Sequence, residues 1–174
     1  MKKKKNIRVI SKTIFEKSFT PFSIQAIDGG FLVQEDDWKI IDKENLEYVT
    51  DKKPTDDEIL DLLFAWKVCK YVKSNAIVFA KDQQTIGIGA GQMSRVNSAK
   101  IASLKATAAN LRTNGSVMAS DGFFPFSDSI HMASDYGISC IIQPGGSIKD
   151  NEVIEEANKK NIAMVLTRMR HFRH

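Results

Sequence analysis

Three observations predict an α/β protein, a three-layer α/β/α domain with a largely parallel or mixed sheet. Beyond residue 54, apolar runs of strand length alternate with amphipathic runs of helix length, the rhythm of strands joined by helical crossovers. The run at 138–143 is apolar enough for a strand covered on both faces. Gly137 and the stretch Pro144-Gly145-Gly146-Ser147 punctuate these runs, where chain reversals need them. At 174 residues, 43% of them apolar and 26% charged, the chain can build one substantial core. Residues 1–174 are read as a single domain, with 1–53 as an irregular β-rich lead-in.

Each element has its own signal. Residues 7–10, 22–27 and 31–34 read as strands, the last two joined at Gly29-Gly30, and 47–50 as a further short one. Thr55 and Glu58 form a capping box, and Asp56 and Asp57 suit the positive end of a helix dipole. Ile59, Leu62, Leu63, Trp66, Val68 and Cys69 follow at helical spacing, so a helix is predicted over 56–72. Residues 76–81 and 85–88 pair as a hairpin around Asp82-Gln83-Gln84, and an Ala- and Lys-rich helix covers 98–111. Then come strand 117–120, helix 127–136, strand 138–143, helix 150–159 and strand 162–167. Sites on such sheets form at strand C-terminal ends, so the loops after residues 88, 120, 143 and 167 should converge.

Charge narrows the function classes. The net charge of +4 is concentrated in lysines 2–5 and in a tail holding Arg168, Arg170, Arg173, His171 and His174. The first run reads as a solvated terminus, not a nucleic-acid patch. The second, interrupted by apolar residues, reads as a tail packed on the domain. No apolar stretch reaches the ~18 residues of a membrane span, and the first residues lack the apolar core of a secretory signal. Cys69 and Cys140 sit inside apolar elements and are predicted to be reduced, buried thiols of a cytoplasmic protein. With three His and two Cys at no zinc-like spacing, no transition metal is expected. His131 reads as an ordinary helix residue, and no Ser-His-Asp or Cys-His set can be assembled.

The richest segment is 73–95. Its Gly87, Gly89 and Gly91 fit neither the dinucleotide fingerprint nor a phosphate-binding Walker loop. They could offer backbone N–H groups to an anion or make a tight turn without a ligand, and Arg95 favours the first. Asn75 could cap the preceding helix in a left-handed conformation. On local pattern the cap is the favoured reading; as a functional group, its amide could donate to an oxyanion and accept from an amine. In the loop Asp121-Gly122-Phe123-Phe124-Pro125-Phe126-Ser127-Asp128, three phenylalanines around a proline suit stacking of a planar heterocycle, with Asp128 placed to meet a ring nitrogen. The same loop also reads as a helix entry with Ser127 as N-cap. The amides of 144–147 would face the strand ends.

Five ordered segments carry a resemblance: 63–77 (LFAWKVCKYVKSNAI), 86–95 (IGIGAGQMSR), 119–126 (ASDGFFPF), 142–148 (IQPGGSI) and 170–174 (RHFRH). Together they resemble the C-terminal part of the bifunctional purine-biosynthesis family, which joins an inosine-monophosphate (IMP) cyclohydrolase to an aminoimidazole-carboxamide ribonucleotide (AICAR) formyltransferase. The resemblance implies a cytidine-deaminase-like unit, the second of two in the formyltransferase, although the deaminase zinc motif is absent. It implies formyl transfer from 10-formyltetrahydrofolate, the co-substrate, to the weakly nucleophilic 5-amino group of AICAR. Position by position, it implies Asn75 as a catalytic residue contacting AICAR, with Arg95, Phe123 and Arg170 also in the AICAR site. Val96, Asp128, Ser147 and Ile148 correspond to the folate site. The family's base is the histidine of a Lys-His pair in the preceding unit, and no Lys-His occurs in these 174 residues. Met1 falls mid-chain in that family, which implies a fragment, an excised piece or a split-gene product that is inactive alone. A homodimeric complete enzyme is implied, and the alternative is a non-catalytic folate- or nucleotide-binding module.

Overall fold

The computed structural model describes residues 22–173; the strand predicted at 7–10 lies outside them. The chain divides between Trp38 and Lys39 into two units. In the first, β1 (Phe22–Ile27) and β2 (Gly30–Glu35) form an antiparallel hairpin. Its turn passes through Gly29 at φ +78°, a left-handed value that suits glycine.

The second unit is a six-stranded mixed sheet with helices on both faces, the predicted three-layer α/β/α arrangement. Its strands are β3 (Glu47–Tyr48), β4 (Ile77–Lys81), β5 (Gln84–Gly89), β6 (Val117–Ser120), β7 (Cys140–Gln143) and β8 (Ala163–Leu166). They lie in the order β3-β8-β7-β6-β4-β5. β6, β7 and β8 are parallel, while β3, β4 and β5 each join their neighbours antiparallel. The helices are α1 (Asp56–Lys70), α2 (Arg95–Ala108), α3 (Asp128–Asp135) and α4 (Asp150–Lys159).

Strand alternation sorts the core. Val78, Ala80, Val117, Ala119, Cys140, Ile142, Ala163 and Val165 face α1, around Leu62, Ala65 and Trp66. Ile77, Phe79, Met118, Ile141, Met164 and Leu166 face α2, α3 and α4. Both faces are covered, so the strands carry little polarity. The smaller residues on the first face let the single helix α1 sit close.

Local chemistry accounts for most boundaries. The Thr55–Glu58 capping box is present in both directions, at 3.2 and 2.8 Å. The β4–β5 turn runs through Asp82 and Gln83, both near φ +52° to +53°, as a two-residue hairpin turn matched to strand twist requires. Neither is glycine, and Asp61 on α1 offsets the strain. Its carboxylate accepts from Asp82 N at 2.9 Å and Gln83 N at 2.6 Å. A hollow of about 320 Å³ beside Asp57, Leu60, Asp61 and this turn lies at the end of β4 remote from Asn75. Helix α2 begins at Arg95, not near 98, because Ser94 Oγ accepts from Asn97 N and caps it there. No helix among the described residues is long and apolar enough to cross a membrane.

Candidate functional site

Because β4 is antiparallel to β6, its first residues share an edge with the C-terminal ends of β5 and β6: Ile77 lies opposite both Gly89 and Ser120. The loop before β4 therefore joins the predicted loops. Main-chain bonds knit them together. Gly91 N donates to Lys73 O at 2.7 Å, Asn75 N to Gln92 O at 3.3 Å, and Asp121 N to Ala76 O at 3.3 Å. Thr167 N donates to Gln143 O at 3.0 Å, Arg168 N to Pro144 O at 3.1 Å, and His171 N to Asp121 O at 3.2 Å. The tail is thus packed onto this edge, and buried His171 stacks on Trp66 with centroids 4.8 Å apart. That contact gives His171 a packing role.

Asn75 is not a helix cap. α1 ends at Lys70 with Tyr71 as its C-cap, and Asn75 is absent from the residues at positive φ. Its Nδ2 donates to Gln92 O at 2.9 Å, and its carbonyl accepts from Ser98 Oγ at 2.7 Å. The side chain is oriented from the 92 loop through Nδ2, and the backbone from α2. The Ser74–Asn75 peptide is cis.

Two of the glycines serve packing. Gly87 and Gly89 belong to β5, and a Cβ on them would stand 2.2 Å from Ala102 O and 1.7 Å from Ser98 O. They let the α2 backbone lie directly on the strand. Only Gly91, at φ +66°, belongs to the turn. That close approach delivers Arg95, the first residue of α2, to the strand ends. Its Nη2 lies 3.1 Å from Oδ1 of Asp121, whose side chain is 1% exposed.

The 121–128 loop splits its aromatic residues. Phe124 is fully buried in the core, its N–H bonded to Gln143 Oε1 at 3.1 Å. Phe123 is half-buried under the Arg170 guanidinium at 4.8 Å, and exposed Phe126 lies 5.2 Å from Lys149 Nζ. Of the three, only Phe123 and Phe126 therefore lie outside the core, so the predicted ledge cannot include Phe124. Ser127 makes no side-chain cap; instead Asp128 Oδ1 accepts from Ser129 N at 2.8 Å. The amides of the 144–147 loop are also engaged. Asp150 accepts from Gly146 N and Ser147 N at 2.6 and 3.1 Å, so those N–H groups are not directed at a ligand. Ser147 Oγ accepts from Lys149 N. Ile148 is fully exposed, Val96 half-buried against the core, and Asp128 exposed.

The fold thus brings Asn75, Arg95, Phe123 and Arg170 to one sheet edge. The Phe126–Lys149 contact sets the loop holding Asp128 beside the one holding Ser147 and Ile148. Asp121 was the residue missed: an acidic residue directly after an apolar strand, followed by Gly, at a strand C-terminal end is the signal that could have found it. Both cysteines are buried free thiols. Burial, reinforced by the Asp121 charge, pushes the Cys69 thiol up, and burial does the same at Cys140. Neither is poised as a nucleophile.

Comparison with known proteins gives this arrangement a context. The family model for the AICARFT/IMPCHase bienzyme matches residues 1–105. The bifunctional purine biosynthesis protein PurH of Chlorobium chlorochromatii (strain CaD3) is 54% identical over 174 residues, covering 100% of this chain and 33% of that relative. The chain therefore spans about a third of the length of the curated relative it matches. Matched by the model over more than half its residues, the chain belongs to the AICARFT/IMPCHase bienzyme family.

Proposed function

We propose that this chain is the C-terminal portion of an AICAR formyltransferase acting in IMP biosynthesis. It would work with an upstream unit that supplies the Lys-His base, in a homodimeric cytoplasmic enzyme. The observation that carries the reading is the Arg95–Asp121 pair at the strand ends, its carboxylate buried and its guanidinium half-buried. Beside it Asn75 is held through both its side chain and its carbonyl, and Arg170 is stacked on Phe123. Of these, Asn75, Arg95, Phe123 and Arg170 are the positions that the family resemblance assigns to AICAR.

The chemistry suits the reaction. Attack of the AICAR amine on the formyl carbon places negative charge on the formyl oxygen, and collapse releases the folate nitrogen while the amine proton passes to a base. Asn75 has one amide N–H and Oδ1 beyond its bond to Gln92, enough to donate to the oxyanion and accept from the amine. Arg95 offers forked donors to the AICAR carboxamide or phosphate, and Arg170 a further cation above an aromatic face. For the folate, exposed Ile148 and half-buried Val96 offer apolar contact. Asp128 retains an oxygen beyond its bond to Ser129, suited to the adjacent N–H groups of a pterin. No proton acceptor of the required kind stands among these residues.

The test is a formyl-transfer assay of this chain, alone and mixed with the separately expressed Lys-His unit, with calorimetry against AICAR and a folate analogue. Activity only in the mixture is expected. Binding of either ligand with no activity in a well-folded mixture would favour the non-catalytic module instead, and absence of both would remove the reading.

A further inference from the structure

We infer that Asp121 is the positioning residue of this site, fixing the Arg95 guanidinium in a single orientation from which its remaining donors meet the substrate. Four observations converge on it. Asp121 is fully buried, and its Oδ1 holds Arg95 Nη2 at 3.1 Å. A Cβ on Gly122 would stand 2.1 Å from that same Nη2, so the guanidinium fills the space that a side chain at 122 would take and is packed against this glycine. Arg95 Nε is buried without a hydrogen-bond partner among the described residues, and the side chain is only 17% exposed. Finally, the Asp121 backbone donates to Ala76 O, next to Asn75, and accepts from His171 N, next to Arg170.

One residue therefore sets the relative placement of three candidate ligand-binding side chains. Its main chain spaces Asn75 and Arg170, and its charge orients Arg95. A guanidinium tied on one edge by a buried carboxylate keeps a fixed set of donors on the other, and that preorganisation strengthens recognition. The placement of Arg95 stands on geometry alone; its consequence for substrate rests on the AICAR reading above.

The two parts are separated by measuring the arginine side chain as well as ligand affinity. In nitrogen-15 NMR spectra of this chain, one Nη–H signal, absent in Arg95→Lys, should exchange with solvent at least about tenfold more slowly than those of exposed arginines, because Nη2 is the atom bound to Asp121. Asp121→Asn should abolish that protection. An Arg95 signal that exchanges freely in the unmodified chain, or stays protected in Asp121→Asn, overturns the proposal, and the first outcome needs no variant to fold. In calorimetry with AICAR, Asp121→Asn should weaken binding roughly tenfold. It should cost nothing further in the Arg95→Lys background, because the two residues act as a unit. Additive losses would overturn the positioning role. An unmodified chain that binds no AICAR removes the substrate reading and leaves the exchange measurement to decide the role of Asp121.

Discussion

The two ends of the central sheet are both polar, and they use polarity differently. At the N-terminal ends of β7 and β8, Thr50 Oγ1 accepts from Met164 N at 2.7 Å and donates to Lys52 O at 2.9 Å. Lys52 Nζ donates to Asn161 O at 3.1 Å, and Lys53 Nζ to Thr50 O at 2.6 Å. These are neutral carbonyls met by cations that stay near the surface. At the opposite end a buried carboxylate meets a guanidinium that is 17% exposed, and Asp121 Oδ2 and Arg95 Nε have no partner among the described residues. Polar groups that only hold a fold close their hydrogen bonds. Under the proposed function, the valences left open at the second end are the ones a ligand would meet.

The largest expected effect separates the two ends by removing one cation from each. Arg95→Met leaves the Asp121 charge in the interior without its partner, which should destabilise by about 3–5 kcal/mol. Lys52→Met removes donors to carbonyls that water can still reach, about 1 kcal/mol. Urea denaturation of both variants checks the contrast. Equal losses would show that the Arg95–Asp121 pair is an ordinary surface interaction.

Next comes the strand that delivers Arg95. Gly89→Ala puts a methyl 1.7 Å from Ser98 O, a backbone atom of α2 that cannot swing aside. Displacing the helix should cost about 3 kcal/mol. It should also lower AICAR affinity, since Arg95 and the Ser98 bond to Asn75 move with α2. A destabilised variant with unchanged affinity would uncouple β5 from the site.

These glycines also mark how far a sequence can be read. The capping box, the strand at 117–120 and the helix at 150–159 depend on neighbours within a few residues, and the structure has them at the predicted places. Gly87 and Gly89 look like a ligand loop in sequence because nothing local shows α2 folding back over them. Phe123, Phe124 and Phe126 look equivalent until the register of β6 against β7 buries the middle one beside Gln143. Asp121 has the same history: its partner is 26 residues away, and only the order β7-β6-β4-β5 brings the two together. The fold was readable from periodicity and punctuation. The division of labour among site residues needed contacts distant in sequence.

At the closed end, Thr50→Val tests whether satisfied polarity is what holds β8. Thr50 is 2% exposed, and valine matches its shape while leaving Met164 N without an acceptor. A buried unmet donor costs about 2 kcal/mol. The loss should appear in denaturation midpoints with AICAR affinity unchanged, because the Thr50 bonds given for the described residues all lie at this end of the sheet. A fall in affinity would mean that the two ends are coupled through β8.

The smallest effect is electrostatic and belongs to the same closed end. Burial raises the Glu58 carboxyl, but a Ser139 side-chain hydrogen bond, the Thr55 N–H and the Lys52 charge outweigh it and hold the group below its ordinary 4.5. A carboxyl depressed in the folded state adds stability above its unfolded pKa and loses it as the pH falls through the folded value. Glu58→Gln should therefore be less stable than the unmodified chain near neutral pH, by no more than about 1 kcal/mol for a partly exposed capping group. That difference should fade as the pH falls through the depressed folded-state value and be absent once the carboxyl is protonated. Thr55→Ala removes the reciprocal cap without removing the charge, so its deficit of about 1 kcal/mol should persist to lower pH. Stability curves against pH for the two variants separate the charge of the capping box from its geometry. If both deficits faded together, the Thr55 hydroxyl would have no worth apart from the carboxylate it faces.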